Sequence, residues 1–169
     1  MSRSIEYNSL FLEAVEGLLT DYGSRKIRLF SEADLQSHLF YSCRHLMEER
    51  RFSTPLLLFA LRSVFDKRSK VDLVLGENDV LVELKMEPDY PGVSKPVVFS
   101  TKREAQGSGS VEEDLEKIGG YSGRGKDAHF LMIDEDGRHR RKIPGKWNKM
   151  KGPEGPAYFM LKSLRPKGE

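Results

Sequence analysis

Asp72 is separated by ten residues from Glu83-Leu84-Lys85. Two acids and a lysine at this spacing can do chemistry together only if the chain folds back between them. The intervening residues supply two runs rich in Val and Leu around Gly76-Glu77-Asn78-Asp79, the pattern of two strands and a turn. A turn centred on Glu77-Asn78 pairs residues whose numbers sum to 155, opposing Leu75 to Val80, Leu73 to Val82 and Val71 to Leu84. Every pair on that face is apolar, and a slip of one residue destroys the match. The other face then opposes Asp72 to Glu83 and Lys70 to Lys85. Directly opposed β-carbons lie about 4.5–5.5 Å apart, where like charges destabilise. A divalent cation accounts for such a pair, since Mg²⁺ is held by one or two carboxylates with water and phosphate oxygens completing its shell. Lys85, two residues beyond Glu83, projects from the same face and can hold a water or a phosphate oxygen. The alternative is a half-exposed antiparallel hairpin with a charged outer face. That explains Lys85 and Glu87 readily, and explains less well an Asp72–Glu83 pair flanked by apolar Val74 and Leu81.

The elements that must carry this hairpin follow from periodicity. Tyr7, Phe11, Ala14, Val15 and Leu18 recur at helical spacing and predict a helix over 5–20, ended by Asp21-Tyr22-Gly23. A second helix is expected over 32–49, with Ser31 as N-cap and Asp34 three residues later. The apolar run 55–65 reads as a strand, as do 71–75 and 80–86. Residues 87–110, rich in Pro, Gly, Ser and Lys, read as a long loop. Ser110 with Glu113 forms a capping box, and Val111, Leu115 and Ile118 give the helix an apolar face before Gly119-Gly120 stops it. Strands follow at 129–134 and 157–164. Short links predict antiparallel pairs and the late helix a crossover to a parallel strand, so the fold class is α/β, a mixed α+β sheet covered by helices.

Asp72 and Glu83-Leu84-Lys85, on two adjacent strands after a helix, resemble the signature of the PD-(D/E)XK nuclease superfamily. The proline that names the motif is replaced here by Val71, a position that carries no chemistry. The likeness spans the helix from Ser31 to the strand ending near Asp134, and implies a restriction-endonuclease-like αβββαβ core preceded by an extra N-terminal helix. It further implies that Asp72, Glu83 and the Leu84 carbonyl hold Mg²⁺ (or Mn²⁺), that the cation acidifies water and stabilises charge on a phosphodiester, and that Lys85 orients the nucleophile. A further family acid sits on the preceding helix. At about 100° per residue, Leu35, Leu39, Cys43 and Leu46 fall within about 60° of Glu32, so Glu32 begins the apolar stripe, whereas Asp34 points away. Glu32 is therefore a further candidate catalytic and metal-binding acid, and Gln36, one turn on, an accessory residue. The other reading is that Glu32 merely complements the positive helix N-terminus.

At 169 residues the chain suits one domain, divided into an N-terminal helical extension (1–30), a core (31–136), a basic strip (137–156) and a tail (165–169). One cysteine, Cys43, excludes an internal disulfide and a cysteine-rich metal site. No apolar run is long enough to span a membrane, no secretory leader is evident, and the expected location is the cytoplasm. The net charge of +2 conceals seven basic residues between 137 and 152, Arg138, Arg140, Arg141, Lys142, Lys146, Lys149 and Lys151, without which the remainder carries −5. A basic strip on an acidic body suggests a polyanion touching one side of the protein, with a solvated loop the plainer reading. The resemblance implies that this polyanion is nucleic acid, expected to be DNA, with its backbone gripped by the strip and by Lys95, Lys102 and Arg103. Trp147 is read as a packing anchor before a base-stacking residue. Cutting two strands would be simplest for a homodimer. The rival functions are an inactive protein of the same fold that binds nucleic acid or protein, and an interaction protein whose hairpin acids are coincidental. The four histidines show no metal spacing, Cys43 is expected to be inert, and the glycine-rich 119–125 reads as a flexible turn because it follows a helix.

Overall fold

The computed structural model describes residues 3–52, 61–62, 70–87, 111–137, 139–140 and 142–166. Tyr7, Phe11, Ala14, Val15 and Leu18 lie buried on one face of the first helix, α1 (Arg3–Gly23). It outruns the expected end at Thr20 because Tyr22 is fully buried and its hydroxyl donates to Glu135, which anchors one more turn. The second helix, α2 (Glu32–Glu49), starts as expected: Ser31 accepts the Asp34 N–H at 3.2 Å, and Asp34 Oδ2 accepts the Phe30 N–H at 2.9 Å. These reciprocal bonds satisfy donors that a helix start leaves over.

The strands are β1 (Leu61–Arg62), β2 (Lys70–Val71), β3 (Leu73–Leu75), β4 (Val80–Glu87), β5 (Asp127–Asp134), β6 (Asn148–Lys151) and β7 (Pro156–Leu164), with α3 (Val111–Ser122) between β4 and β5. Five of them form a mixed sheet in the order β3-β4-β5-β7-β6. The β3–β4 hairpin pairs Leu73 with Val82, Val74 with Leu81 and Leu75 with Val80, the register set by the apolar face. Its turn needs Gly76, which has φ +66° and sits so close to α1 that a β-carbon there would lie 2.7 Å from the Tyr7 ring. The crossover through α3 makes β5 parallel to β4, from Val80↔Asp127 to Glu87↔Asp134, and β7 is antiparallel to both β5 and β6.

Each face of this sheet has its own core. Leu73, Leu75, Val82, Leu84 and Leu131 pack beneath α1 and α2, whereas Val74, Leu81, Phe130 and Met132 pack with Ile118 and Tyr121 of α3. His129 faces α1, with Nε2 2.7 Å from Asn8 Oδ1 and Nδ1 2.8 Å from Ser163 Oγ. Burial pushes its pKa down to about 4, so it is a neutral packing residue. Cys43 is fully buried, and burial pushes its thiol up to about 12, which fits an inert side chain. No helix among the described residues is long and apolar enough to cross a membrane.

Several expected boundaries are corrected. The strand 71–75 is interrupted at Asp72, so the expected pairs Asp72–Glu83, Val71–Leu84 and Lys70–Lys85 do not form; Val71 partners Leu61 and Lys70 partners Arg62 in a separate two-stranded ladder. Val71 is accordingly buried in the α3-side core, not beside Leu73. The α3 helix passes through Gly119-Gly120 to Ser122, because Tyr121 is buried and Ser122 Oγ donates to the Arg165 carbonyl at 2.8 Å. The glycine-rich turn is thereby shortened to residues 123–125. The basic strip contains a strand, β6, that periodicity did not reveal. Of the run 55–65 only 61–62 is described; Glu87, expected to open the loop 87–110, belongs to β4, and the rest of that loop, with Lys95, Lys102, Arg103 and the Ser110 cap, lies outside the described residues.

Candidate active site

Asp72 sits at the break between β2 and β3. Its Oδ2 accepts the Leu84 N–H at 2.7 Å, so a side chain supplies the bond that the interrupted strand does not. Gln36 of α2 donates through Nε2 to the Asp72 carbonyl, which fixes the Asp72 peptide from the helix side. Gln36 is thus a positioning residue here, one turn from Glu32 as the helical spacing requires. Leu84 gives its N–H to Asp72 and buries its side chain under the helices.

Glu83 and Lys85 point to the opposite face of β4, towards α3. The Lys85 ammonium, on a side chain only 7% exposed, lies 3.2 Å from Glu32 Oε2 and 3.1 Å from Asp114 Oδ2. Asp114, 1% exposed, also accepts from Lys117 at 2.7 Å, and Lys117 reaches Glu83 Oε2 at 3.3 Å. Tyr121 donates to Glu83 Oε1 at 3.1 Å. Four acids from α2, the β2–β3 break, β4 and α3 therefore surround two ammonium groups in a largely buried centre. Glu32 reaches Lys85 from the rim of the centre, its side chain still 40% exposed, while Asp34 caps its own helix.

The electrostatics of the centre are those of an excess of buried negative charge. Burial raises the Glu83 carboxyl to about 8, reinforced by the neighbouring Asp72 charge and opposed by Lys117 and the Tyr121 hydrogen bond. Burial also raises Asp72, against the Leu84 N–H and Lys85, and raises Glu32, against Lys85. Burial on its own would lower both lysines. Asp114 and Glu32 reverse this for Lys85, and Asp114 and Glu83 for Lys117, so both ammonium groups are held above their ordinary value. Lys85 is consequently a fixed cation, suited to offsetting developing negative charge and unsuited to accepting a proton.

Among the described residues no three acidic, histidine or cysteine side chains converge on one point. Each acid is instead engaged by a lysine, a tyrosine or a backbone N–H. The donor set nonetheless fits a hard divalent cation: it is all oxygen, its acids outnumber its lysines, and Mg²⁺ needs only one or two carboxylates. A cation bound here would fall to Asp72 and Glu83, with Glu32 at the margin.

The basic strip lies on the same face of the sheet as this centre. Along β7, Phe159 and Leu161 pack towards α1, whereas Met160 packs with Ile143 and Trp147 in the α3-side core, which puts Tyr158 on the α3 side too. Arg140 stacks over the Tyr158 ring at 4.2 Å, and Lys149 is the strand partner of Tyr158. Lys142, Lys146, Lys149 and Lys151 are exposed; Arg138 and Arg141 lie outside the described residues. Lys149 and Lys151 also border an open groove of about 400 Å³ that Arg25 joins from the turn after α1. Trp147 is half-buried and donates to the Ile143 carbonyl at 3.1 Å, as a packing anchor does.

Sequence reading did not find Asp114, Lys117, Tyr121 or Arg25. A signal for the first three existed. Residues 111, 114, 118 and 121 are the buried face of α3, so Asp114 occupies an apolar-stripe position, and a charge on such a stripe marks a partner across the interface. Arg25 gave no signal, because its contribution depends on how α1 docks against β6. Comparison with known proteins gives no match: no family model, no curated protein and no solved structure aligns with the chain.

Proposed function

We propose that this chain is a divalent-cation-dependent nuclease of the PD-(D/E)XK type, hydrolysing phosphodiester bonds in nucleic acid, with DNA as the favoured substrate. The observation that carries the reading is the conjunction of Asp72, on a strand break beside Leu84, with Glu83 and a buried, permanently charged Lys85 on the next strand. The mixed sheet with a parallel crossover through α3 supports a restriction-endonuclease-like core for β3, β4, α3 and β5. Asp72 and Glu83 would hold the cation, and a cation bound there would supply Lewis acidity at the scissile phosphate and lower the pKa of water. Lys85 offsets charge on the phosphate in the transition state, and Glu32 with Asp114 keeps its ammonium in position. Gln36 holds the Asp72 peptide at the site. Arg140, Lys149 and Lys151 bind the backbone from the same face without reading sequence.

The test is incubation of the purified protein with labelled duplex, single-stranded and branched DNA, and RNA, in Mg²⁺ or Mn²⁺. Cleavage is expected to need the metal, to stop with EDTA, and to fall by at least about a hundredfold in Asp72→Asn and Lys85→Ala. Cleavage that persists in both variants would overturn the assignment. A second reading, a nucleic-acid-binding protein of the same fold without turnover, draws on the engagement of Glu83 by Lys117 and of Glu32 by Lys85. It requires binding that survives Asp72→Asn with no cleavage of any member of the panel.

A further inference from the structure

The buried acid on α3 is the least expected member of the centre. An acid in the first turn of a helix ordinarily complements the helix dipole from the solvent side, as Glu112 and Glu113, both exposed, do here. Asp114 instead turns inward and divides its two oxygens between two different lysines, Oδ1 at 2.7 Å from Lys117 and Oδ2 at 3.1 Å from Lys85. Both lysines have long, rotamer-rich side chains, and the nearest other acids for them are Glu83 and Glu32. Lys117 already touches Glu83, at the longer distance of 3.3 Å. Without the α3 carboxylate, a partly buried ammonium settles on whatever acid remains in reach.

We propose that Asp114 is a positioning residue that shares the Lys117 ammonium with Glu83 and so weakens its hold on that carboxylate, keeping it available to a divalent cation. The inference rests on the cation-dependent reading of Asp72 and Glu83 and assigns a role to a residue outside that pair. Asp114 does not itself ligate the ion; it acts through Lys117. Its loss therefore closes the site from within, by leaving the Lys117 ammonium to Glu83 alone. A purely structural acid would change stability and leave the affinity of the folded protein for the ion unchanged.

The experiment is a calorimetric titration of Mn²⁺ into the wild type, Asp72→Asn, Asp114→Asn and the double variant Asp114→Asn/Lys117→Gln. Binding by the wild type that disappears in Asp72→Asn establishes the underlying site; no binding by the wild type overturns both readings. Given that site, Asp114→Asn is expected to weaken Mn²⁺ about tenfold, the scale on which indirect partners tune metal sites. Lys117→Gln in the same chain is expected to restore most of the loss. Unchanged affinity in Asp114→Asn would overturn the positioning role alone. A loss that Lys117→Gln does not relieve would also overturn it, since Asp114 would then be a ligand. If Asp114→Asn does not fold, side-chain ammonium NMR of the wild type provides the same test. Both ammonium signals should stay slow to exchange with water after Mg²⁺ is added, because Asp114 still holds them; fast exchange on Mg²⁺ addition would overturn the proposal.

Discussion

Glu83 is the residue whose surroundings change its chemistry most. Its carboxyl is raised from 4.5 to about 8 by burial and by Asp72. Between those values the unfolded chain has lost the Glu83 proton and the folded chain has kept it, so unfolding releases a proton and stability falls as pH rises through that window. The contribution is fully present below pH 4.5 and lost by about 8. Glu83→Gln removes the titration. In urea unfolding across this range the variant should gain on the wild type as pH rises, with the gap closing near the acid end. Mg²⁺ at pH 8 should narrow the gap by stabilising the ionised wild type and leaving the variant unmoved. A parallel pH dependence in the two proteins would mean that Glu83 titrates normally.

At the scale of elements, the hairpin was legible because its two faces differ in kind. An apolar face admits one register only, and the observed β3–β4 pairs are the ones it selects. The approach of Glu32 to Lys85 was legible from helical projection, which groups it with Leu35, Leu39 and Cys43, although Glu32 itself stays at the rim. What escaped was the outcome of competition between local preference and tertiary contact. Gly119-Gly120 is a strong local stop, yet α3 continues through it because Tyr121 gains a buried place and a hydrogen bond to Glu83. The strand break at Asp72 escaped because alternation describes side chains and does not reveal that a carboxylate replaces a backbone acceptor. β6 escaped because an edge strand of alternating lysines has almost no apolar face to announce it. The α3 result is directly testable. Both glycines are helical with nothing within 4 Å of a β-carbon, so Gly119→Ala and Gly120→Ala should each stabilise the fold, by about 0.4–1 kcal/mol. A urea midpoint that drops in either variant would contradict the continuous helix.

For the whole molecule, the sheet separates two tasks. One face is covered by α1 and α2, and the other carries α3, the acid centre and the basic residues. β6 lies three strands from β4, roughly 14–15 Å at the ordinary spacing of strands. Lys149 and Lys151 are thus too distant to act on a bond held at Glu83 and close enough to grip the same polyanion. Lys149→Gln/Lys151→Gln should weaken nucleic-acid binding and reduce the slope of log affinity against log salt by about two, leaving the rate at saturating substrate unchanged. Fluorescence anisotropy over a salt series measures the slope; one equal to that of the wild type would detach β6 from the interface.

The break at Asp72 also governs how a substrate complex is to be captured. Its carboxylate is at once a candidate cation ligand and the acceptor for the Leu84 N–H. Asparagine keeps an acceptor oxygen at that position while removing the charge. Alanine removes both and strands a backbone donor between β-strands, at a cost of about 1–3 kcal/mol. Thermal unfolding should therefore find Asp72→Ala clearly below Asp72→Asn. An inactive trap built on asparagine keeps the hairpin in register around an uncut nucleic acid, whereas alanine would loosen the scaffold on which that strand is to be seen.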